Sequence, residues 1–458
     1  MKRKSLLPKR LVMHRLGLLA GLTGLAMCLP AGSVFAMDLL ESYKAALVND
    51  ANYLAAQASA QADSEALPQA KAQLMPSMSL SLSRTKLNSV SDSYISPVNP
   101  TSHLNYFSDN RSLSVRQPIY RKSLFAGYAQ AQSNVQASIA NLKREEQDLS
   151  LRVVSAYFDA LLSKEQLQLI QAQKQSASAQ LQYAKASYAK GFSTRTDVDE
   201  IQARLDVILA DQFAAELQID YSLQTLKSLT NQPVDQLKGL KDFDFSADQA
   251  EFDNLAHWTD RALQENPVVI GMQYKLEAAV QEIEKASAGH MPTVDLVAQM
   301  SQSAGENATV PNNAYRNKSL AVQINVPIFS GGYYQSTTRQ ALASKDKAEQ
   351  QLEATRQSIG LQTQKEFKNV TSGLMRVKAL EQAVRSNEQS VISNAKSLEA
   401  GIRSRLNLLD AEQKLAQARR DLTEARFNYL IAKVKIYSLV GAADEVVISK
   451  VNALLDFN

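Results

Sequence analysis

Residues Asp38–Ser83 begin with DLLESYKAALVNDANYLAAQ and end with QLMPSMSLSLS. They align without a gap on Asn254–Gln299, which begins with NLAHWTDRALQENPVVIGMQ and ends with GHMPTVDLVAQ, at a constant offset (254 − 38 = 216). Further along, Ala156–Gln232 aligns on Glu366–Ala442 at a similar offset (366 − 156 = 210). Each copy is far longer than the roughly 20–50 residues of a solenoid or propeller repeat. The pattern therefore indicates a duplicated half-protein.

The start of the chain has the composition of a secretory signal peptide. A basic head, Lys2–Arg15, precedes the apolar stretch Leu16–Leu29 and the plausible cleavage site Val34-Phe35-Ala36. We therefore expect residues 1–36 to be removed on export. A retained membrane anchor is the alternative, but the apolar stretch is short for a membrane-spanning helix.

Removal of the signal peptide changes the charge balance. The chain has 50 Lys and Arg residues and 46 Asp and Glu residues. The first 36 residues hold six of the basic residues and none of the acidic ones. Their removal leaves 50 − 6 = 44 basic residues against 46 acidic ones. Without a basic excess, nothing indicates nucleic-acid binding. The single cysteine, Cys28, is also lost, so we expect an exported protein without disulfides.

Each copy contains two segments in which apolar and polar side chains alternate. In the first copy these segments are residues 77–83 and a return strand near Ser112–Tyr120, and in the second they are Thr293–Ser301 and Ser319–Phe329. Strict alternation is typical of a strand with one apolar and one polar face. The sequence therefore predicts four amphipathic strands per chain.

Two polar segments, Thr85–Arg111 and Gln302–Lys318, are predicted to be the loops that join these strands. Four strands cannot close a barrel alone, so the alternation has two interpretations. One is a half-buried sheet in a soluble protein, and the other is a membrane barrel built from several chains.

The remaining sequence is predicted to be largely helical. Asp38–Gln73 is alanine-rich, with Pro68 as its expected interruption. Residues 408–439 show apolar side chains at alternating spacings of three and four, and residues 198–229 repeat the pattern with two polar breaks. This spacing predicts supercoiled helices, in a rod or in a larger bundle. The second-copy positions are Leu408, Ala411, Leu415, Ala418, Leu422, Ala425, Tyr429, Ala432, Ile436 and Leu439.

Sequence motifs for catalysis or metal binding are not found. The four histidines are scattered, and the chain contains no GxGxxG, GxxxxGK[ST] or GxSxG motif. We therefore expect no enzyme activity, no catalytic residues, no metal site and no cofactor.

Six short motifs follow one another through the two copies. They are Gln117-Pro118-Ile119-Tyr120, Ala156-Tyr157-Phe158-Asp159, Gly191-Phe192-Ser193-Thr194-Arg195-Thr196-Asp197-Val198, Val326-Pro327-Ile328-Phe329-Ser330-Gly331-Gly332, Asn407-Leu408-Leu409-Asp410-Ala411-Glu412 and Ala425-Arg426-Phe427-Asn428-Tyr429-Leu430. In this order and in these elements, they resemble the TolC family of outer-membrane efflux and secretion ducts. The likeness spans nearly all of the mature chain.

The resemblance implies an α+β membrane protein that forms a homotrimer in the outer membrane of a Gram-negative bacterium. Three chains with four strands each would form a 12-stranded β-barrel, continued by a long α-helical coiled-coil tunnel in the periplasm. Residues 37–245 would be the first structural repeat, and residues 246–458 the second repeat with a C-terminal equatorial segment. The serines would line the lumen. The side chains expected to face outer-membrane lipid are Met78, Leu80, Leu82, Leu320, Val322 and Ile324.

The function implied by the resemblance is a passive exit duct for type I secretion or multidrug efflux. Such a duct docks with a periplasmic adaptor (a membrane fusion protein) and with an inner-membrane ABC or proton-driven transporter. The alternative is a soluble periplasmic coiled-coil scaffold without a pore.

The family closes its tunnel at the periplasmic end, near the helix–helix turns, which by this resemblance fall at Gly191 and Gly401. By this resemblance, Thr196, Asp197, Arg403, Asn407 and Asp410 are the expected residues of the pore constriction. Arg403 would tie neighbouring helices, and three Asp410 carboxylates would ring the pore, where the best-known members also have an aspartate at the position of Asn407. Thr196 and Asp197 have a second interpretation, because both residue types suit the start of a helix, where Asp and Thr commonly cap the first turn.

Overall fold

A computed structural model describes residues 36–92, 101–234, 236–241, 252–305 and 313–456. Residues 1–35, which hold nearly all of the expected signal peptide, lie outside the described residues. The expected boundary between the repeats at residues 245 and 246 also lies outside them.

The two copies contain the same succession of long elements. The first consists of β1 (Ala36–Met37), α1 (Leu39–Asn49), α2 (Ala51–Ser64), α3 (Ala66–Ala72), β2 (Ser77–Asp92), β3 (Thr101–Tyr120), α4 (Lys122–Ala189), α5 (Arg195–Thr230), β4 (Gln236–Leu237) and β5 (Gly239–Leu240). The second consists of α6 (Leu255–Glu265), α7 (Pro267–Ser287), a 3-10 turn (Ala288–His290), β6 (Thr293–Gly305), β7 (Asn313–Asn325), α8 (Tyr333–Glu399), α9 (Arg405–Leu439), α10 (Glu445–Asn452) and β8 (Leu455–Asp456).

Corresponding elements begin at corresponding residues. α1 and α6 begin at Leu39 and Leu255, and β2 and β6 begin at Ser77 and Thr293, both at the offset of 216 found in the sequence. α5 and α9 begin 210 residues apart. The sequence repeat is therefore also a repeat of local structure.

The four long strands form one antiparallel sheet in the order β2-β3-β6-β7. The strands are longer than the alternation predicted, since β2 continues to Asp92, β3 begins at Thr101, β6 continues to Gly305 and β7 begins at Asn313. The prediction of loops over Thr85–Arg111 and Gln302–Lys318 is therefore mostly wrong. β7 ends at Asn325, four residues before the predicted end of that strand.

The sheet has one apolar face, which we call the lipid face. The apolar side chains of β2 and β7 on this face are largely exposed, as Leu80 (66%) and Leu320 (73%) illustrate. The opposite face is rich in serine, and the Ser79 and Ser114 hydroxyls lie 2.7 Å apart across two strands. The predicted period-two pattern thus corresponds to two chemically different faces.

The first helical segment is divided at other places than predicted. Breaks occur at Asp50, which accepts a hydrogen bond from the Tyr53 N–H, and at Glu65. Pro68 lies in the first turn of α3. A proline is tolerated there because the N–H groups of a first turn have no partner within the helix.

The longest helices form two hairpins, α4–α5 and α8–α9, and α9 packs on α4. α4 and α8 have 68 and 67 residues. At 1.5 Å per residue, each helix is about 100 Å long. None of the described helices combines the length and apolar character needed to cross a membrane.

The predicted apolar positions of α9 are all buried or half-buried, which confirms that this face packs. A second buried stripe, which includes Phe427, Leu430 and Val434, was not predicted. It exists because α9 lies between α8 and α4 and is covered on two sides.

The two helical hairpins pack side by side in the order α5, α4, α9, α8. α5 and α8 are therefore the outer helices, and both expose apolar side chains. α5 exposes Leu217 (74%) and Tyr221, while α8 exposes Met375 (67%) and Ile392. Side chains of this size are seldom exposed together on a surface that stays in water. In the trimer that the resemblance implies, we expect the α5 of one chain to pack against the α8 of the next.

The main core lies where the helices meet the two small sheets, β1–β4 and β5–β8. Phe158 stacks on Phe427 with ring centroids 5.1 Å apart, which joins the two copies. The Tyr157 hydroxyl accepts a hydrogen bond from the Lys238 N–H at 3.0 Å and lies 3.3 Å from the Met37 carbonyl oxygen. The Ala-Tyr-Phe-Asp motif therefore holds the segment between the repeats against α4.

Candidate pore constriction

The helix–helix turns of the two copies have the same backbone geometry. Gly191 and Gly401 have φ values of 79° and 70°, in the left-handed region that glycine adopts without strain. In each turn the residue after the glycine closes the helix by donating its N–H to the carbonyl five residues back. Phe192 donates to Ser187 and Ile402 donates to Ser397, both at 2.9 Å. Both turns therefore lie at the same end of the helical hairpins.

Each turn ends in an apolar side chain that points into solvent. Phe192 is 85% exposed and Ile402 is 79% exposed, and they are equivalent under the repeat (402 − 192 = 210). Neither residue was predicted from the sequence to belong to the pore constriction. The signal was present, since an apolar residue directly after a turn glycine occurs in both copies.

Asp197 and Asn407 are equivalent residues that cap α5 and α9. The Asp197 carboxylate accepts hydrogen bonds from the Thr194 N–H at 3.0 Å and the Ser193 hydroxyl at 2.9 Å. The Asn407 side-chain oxygen accepts from the Ser404 N–H at 3.1 Å. Each forms a reciprocal capping box with the residue three positions earlier.

The capping hydrogen bonds also affect the ionisation of the Asp197 carboxyl group. Hydrogen bonds from the Thr194 backbone and side chain, and from Ser193, lower the pKa of Asp197. Asp197 therefore stays ionised at the helix N-terminus, where a negative charge is favoured. Thr196, its neighbour, is exposed and is not the capping residue.

Arg403 contacts its own hairpin within one chain. Its guanidinium donates to the Asn394 side-chain oxygen at 2.6 Å, and Asn394 is a buried residue of α8. Arg403 thus holds the α8–α9 turn against the end of α8. The tie to a neighbouring chain stays a prediction.

Asp410 bridges the two copies. Its carboxylate accepts a hydrogen bond from Arg204 of α5 at 2.7 Å, and Arg204 also contacts Gln413. Nearby, the Arg405 guanidinium lies 3.4 Å from the ring centroid of Tyr183 in α4. We call Arg204, Asp410, Arg405 and Tyr183 the inter-repeat clamp. It was missed because each half of the contact comes from a different copy.

Little apolar surface is buried next to the inter-repeat clamp. The small cluster of Leu181, Ala184, Ile201 and Leu409 is separate from the main core. Hydrogen bonds from Arg405 and Ser187, together with the Arg405 charge, lower the pKa of Tyr183. Since little apolar area holds this end together, polar contacts decide how firmly the two hairpins are joined.

The described residues of the site form no metal-binding group. In the described ranges, no group of three or more His, Cys, Asp and Glu side chains is placed to hold a metal ion. What the site offers is a set of charged and hydrogen-bonding groups at the open end of two helical hairpins.

Both copies of the repeat match the model of one known protein family. The model of the family "Outer membrane efflux protein" matches residues 42–232 and 258–442, most of the chain and both copies. The chain belongs to the outer membrane efflux protein family. The resemblance to TolC-type ducts, drawn from the six motifs, is therefore confirmed.

Individual proteins agree with the family match. The alkaline protease secretion protein AprF of Pseudomonas aeruginosa is 29% identical over 93% of this chain and 89% of its own length. The outer membrane protein TolC of Vibrio cholerae is 26% identical over 92% of this chain and 95% of its own. The crystal structure of VceC from Vibrio cholerae shares the fold, with a TM-score of 0.74 at 19% identity over 88% of this chain and 96% of the other.

These findings identify the molecule as an outer-membrane channel that extends into the periplasm. It has the fold of the trimeric TolC-like channels, in which each chain adds four strands and two long helical hairpins. It is an exit duct for type I secretion or multidrug efflux. The soluble scaffold considered from the sequence has no support in these comparisons.

Proposed function

We propose that this duct serves type I secretion, with a protein as cargo, and that it docks with a periplasmic adaptor and an inner-membrane ABC transporter. The 29% identity to a protease secretion protein over 93% of the chain supports protein cargo. Multidrug efflux with a proton-driven transporter is the second candidate, supported by the match to the family model "Outer membrane efflux protein".

The observation that carries the duct function is the continuity of sheet and helices. The sheet has an exposed apolar face and a serine-rich face, and β3 and β7 lead into α4 and α8 after one and seven residues. Helices of about 100 Å extend the same wall far below the membrane. Such a wall conducts cargo without binding it specifically.

The junction between sheet and helices is held by one buried ion pair. Arg121, at the start of α4, donates to both carboxylate oxygens of Asp295 in β6, at 2.9 and 2.5 Å. Asp295 is only 4% exposed. A bidentate pair of this kind fixes direction as well as distance, which keeps the hairpin aligned with the strands.

We place the closed end of the duct at Thr196, Asp197, Arg403, Asn407 and Asp410. All five belong to the turns or first helical turns at one end of the hairpins. The inter-repeat clamp would hold the two hairpins of a chain together in the closed state. Opening would then require Arg204 to leave Asp410 and Arg405 to leave Tyr183.

We further propose that Phe192 and Ile402 contact the adaptor. They are the apolar side chains at the tips of the two hairpins, and both are almost fully exposed. With three chains, six such tips would surround the opening. A ring of six apolar contacts suits a partner that also ends in helical hairpins.

Export from cells tests the proposal. A strain lacking its own duct would receive this chain, an ABC transporter with its adaptor, and a secreted substrate of that transporter. We expect substrate in the medium, and loss of export with Phe192→Asp/Ile402→Asp although trimers still reach the outer membrane. Drug resistance with a proton-driven pump, without any protein export, would instead favour efflux.

A further inference from the structure

The lipid face changes character towards the tips of the strand hairpins. Above the apolar side chains of β2, β3 and β7, basic residues follow at the same alternate positions, as in Leu82, Arg84 and Lys86 of β2. We call the full set the cation belt. It consists of Arg84, Lys86, Arg111, Arg316 and Lys318.

Strand pairing places the cation belt on one face of the sheet. Leu82 pairs with Arg111, and Met300 pairs with Lys318, so these basic side chains share the face of the apolar ones. The register between β2 and β3 is continuous from Ser77 to Asp92. Residues of one face repeat every second position along a strand.

The opposite face has no basic residue at this height. Among the described residues 83–92, 101–112, 301–305 and 313–319, every Lys and Arg belongs to the cation belt. If these side chains served only solubility, they would occur on both faces, because beyond the membrane both faces meet water. Their segregation indicates a ligand on the lipid side.

The cation belt is almost uncompensated within the chain. Arg84 lies 3.5 Å from the Asp109 carboxylate and 4.7 Å from the centroid of the Phe107 ring. Within the described part of the chain, the other four members form no ion pair. All five are exposed.

Trimer formation concentrates this charge. β2 and β7 are the edge strands, so closing the sheet pairs the β2 of one chain with the β7 of the next. The apolar stretches of both strands must lie level because they cross the same lipid layer, and Arg84 and Lys86 then meet Arg316 and Lys318. Like charges on neighbouring strands repel, so an anion is needed at each seam.

We propose that the cation belt binds the phosphate groups of the glycolipid that forms the outer leaflet of this membrane. The hairpin tips point away from the periplasmic helices, so the cation belt lies at the headgroups of the outer leaflet. Arginine and lysine are the side chains that pair best with phosphate, and their aliphatic stems lie along lipid chains while the charges reach the headgroups.

The test is lipid binding to the intact trimer, measured by native mass spectrometry. The probes are diphosphoryl lipid A, the same lipid without phosphates, and phosphatidylglycerol. We expect diphosphoryl lipid A to bind at least about tenfold more tightly than the dephosphorylated form, with the difference reduced by salt. Equal binding of the two forms would overturn the proposal, and this comparison needs no variant.

Two variants locate the site. Arg316→Gln/Lys318→Gln should bring the affinity for diphosphoryl lipid A down to that of the dephosphorylated lipid. The control Lys368→Gln/Lys378→Gln removes two exposed charges of α8 and should change nothing. Unchanged binding by the first variant, or equally tight binding of phosphatidylglycerol, would contradict the assignment to the outer-leaflet glycolipid.

Discussion

We propose two roles for Asp410 that mutations can separate. As a member of an acidic ring it would attract cations to the pore, and as a partner of Arg204 it holds the two copies together. Asp410→Asn removes both roles, whereas Arg204→Gln removes the tie and leaves the carboxylate free.

We expect opposite effects of these two changes on block by divalent cations. Asp410→Asn should raise the half-blocking concentration severalfold in planar bilayers, and Arg204→Gln should lower it. Asp421→Asn, about three turns further along α9, is the control that should behave like the unchanged protein. The ring assignment fails if Asp410→Asn leaves block unaltered.

Position 401 requires glycine because of its backbone conformation and not because of close neighbouring atoms. A Cβ there would meet no atom within 4 Å, but φ is +70°. Gly401→Ala should therefore destabilise each chain by about 1–2 kcal/mol, measured as a lower denaturant midpoint of the trimer. Gly360→Ala, in the middle of α8 with equally open space, should instead stabilise by about 0.5–1 kcal/mol. Equal shifts for both variants would show that the turn tolerates other conformations.

At the scale of the elements, the lipid face allows a matched test. Leu80→Arg should cost about 2–4 kcal/mol near the middle of the bilayer, while Ser81→Arg, on the opposite face of β2, should be tolerated. The readout is the fraction of chain recovered from the outer membrane as SDS-resistant trimer. Normal recovery of Leu80→Arg together with loss of Ser81→Arg would reverse the face assignment.

The exposed stripe on α5 should matter only for assembly. Leu217→Glu would place a charge in the contact with the α8 of the next chain, so we expect monomers with normal helix content by circular dichroism. Gln218→Glu adds the same charge to an adjacent exposed position and should leave the trimer intact. Stable trimers of both variants would place the contact elsewhere.

The sequence predicted the strands only where lipid is on one side. Leu80 and Ser81 alternate because their surroundings differ, and the signal is strong there. From Arg84 to Asp92 both faces of β2 are mostly polar, with Leu87 and Val90 on opposite faces. The alternation therefore fades, and from Thr85 the same hydrogen-bonded strand was predicted to be a loop. Period-two patterning reports the surroundings of side chains, and backbone pairing continues without it.

The candidate site was predictable only in part. Glycine turns and helix starts at Gly191 and Gly401 are local signals and were found. The contact between Arg204 and Asp410 joins residues 206 positions apart, and no local pattern indicates it. Asp197 has the capping role that its second interpretation predicted, and its place in the pore constriction stays a prediction.

For the whole molecule, the duplication explains how three chains build a wall of near six-fold symmetry. The proposed closed end is one place where the two copies differ, since the second carries Arg403, Asn407 and Asp410 there. Because the inter-repeat clamp joins α5 and α4 to α9, we expect opening to move the α8–α9 hairpin against the α4–α5 hairpin.

Single-channel conductance of the purified trimer in planar bilayers tests whether the pore is closed at the end of the helical hairpins. We predict small conductance steps for the unchanged protein and a severalfold larger conductance for Arg403→Ser combined with Arg204→Gln, with Lys368→Gln as an unaffected control. Trimers that insert but conduct no ions, with or without these changes, would contradict the claim.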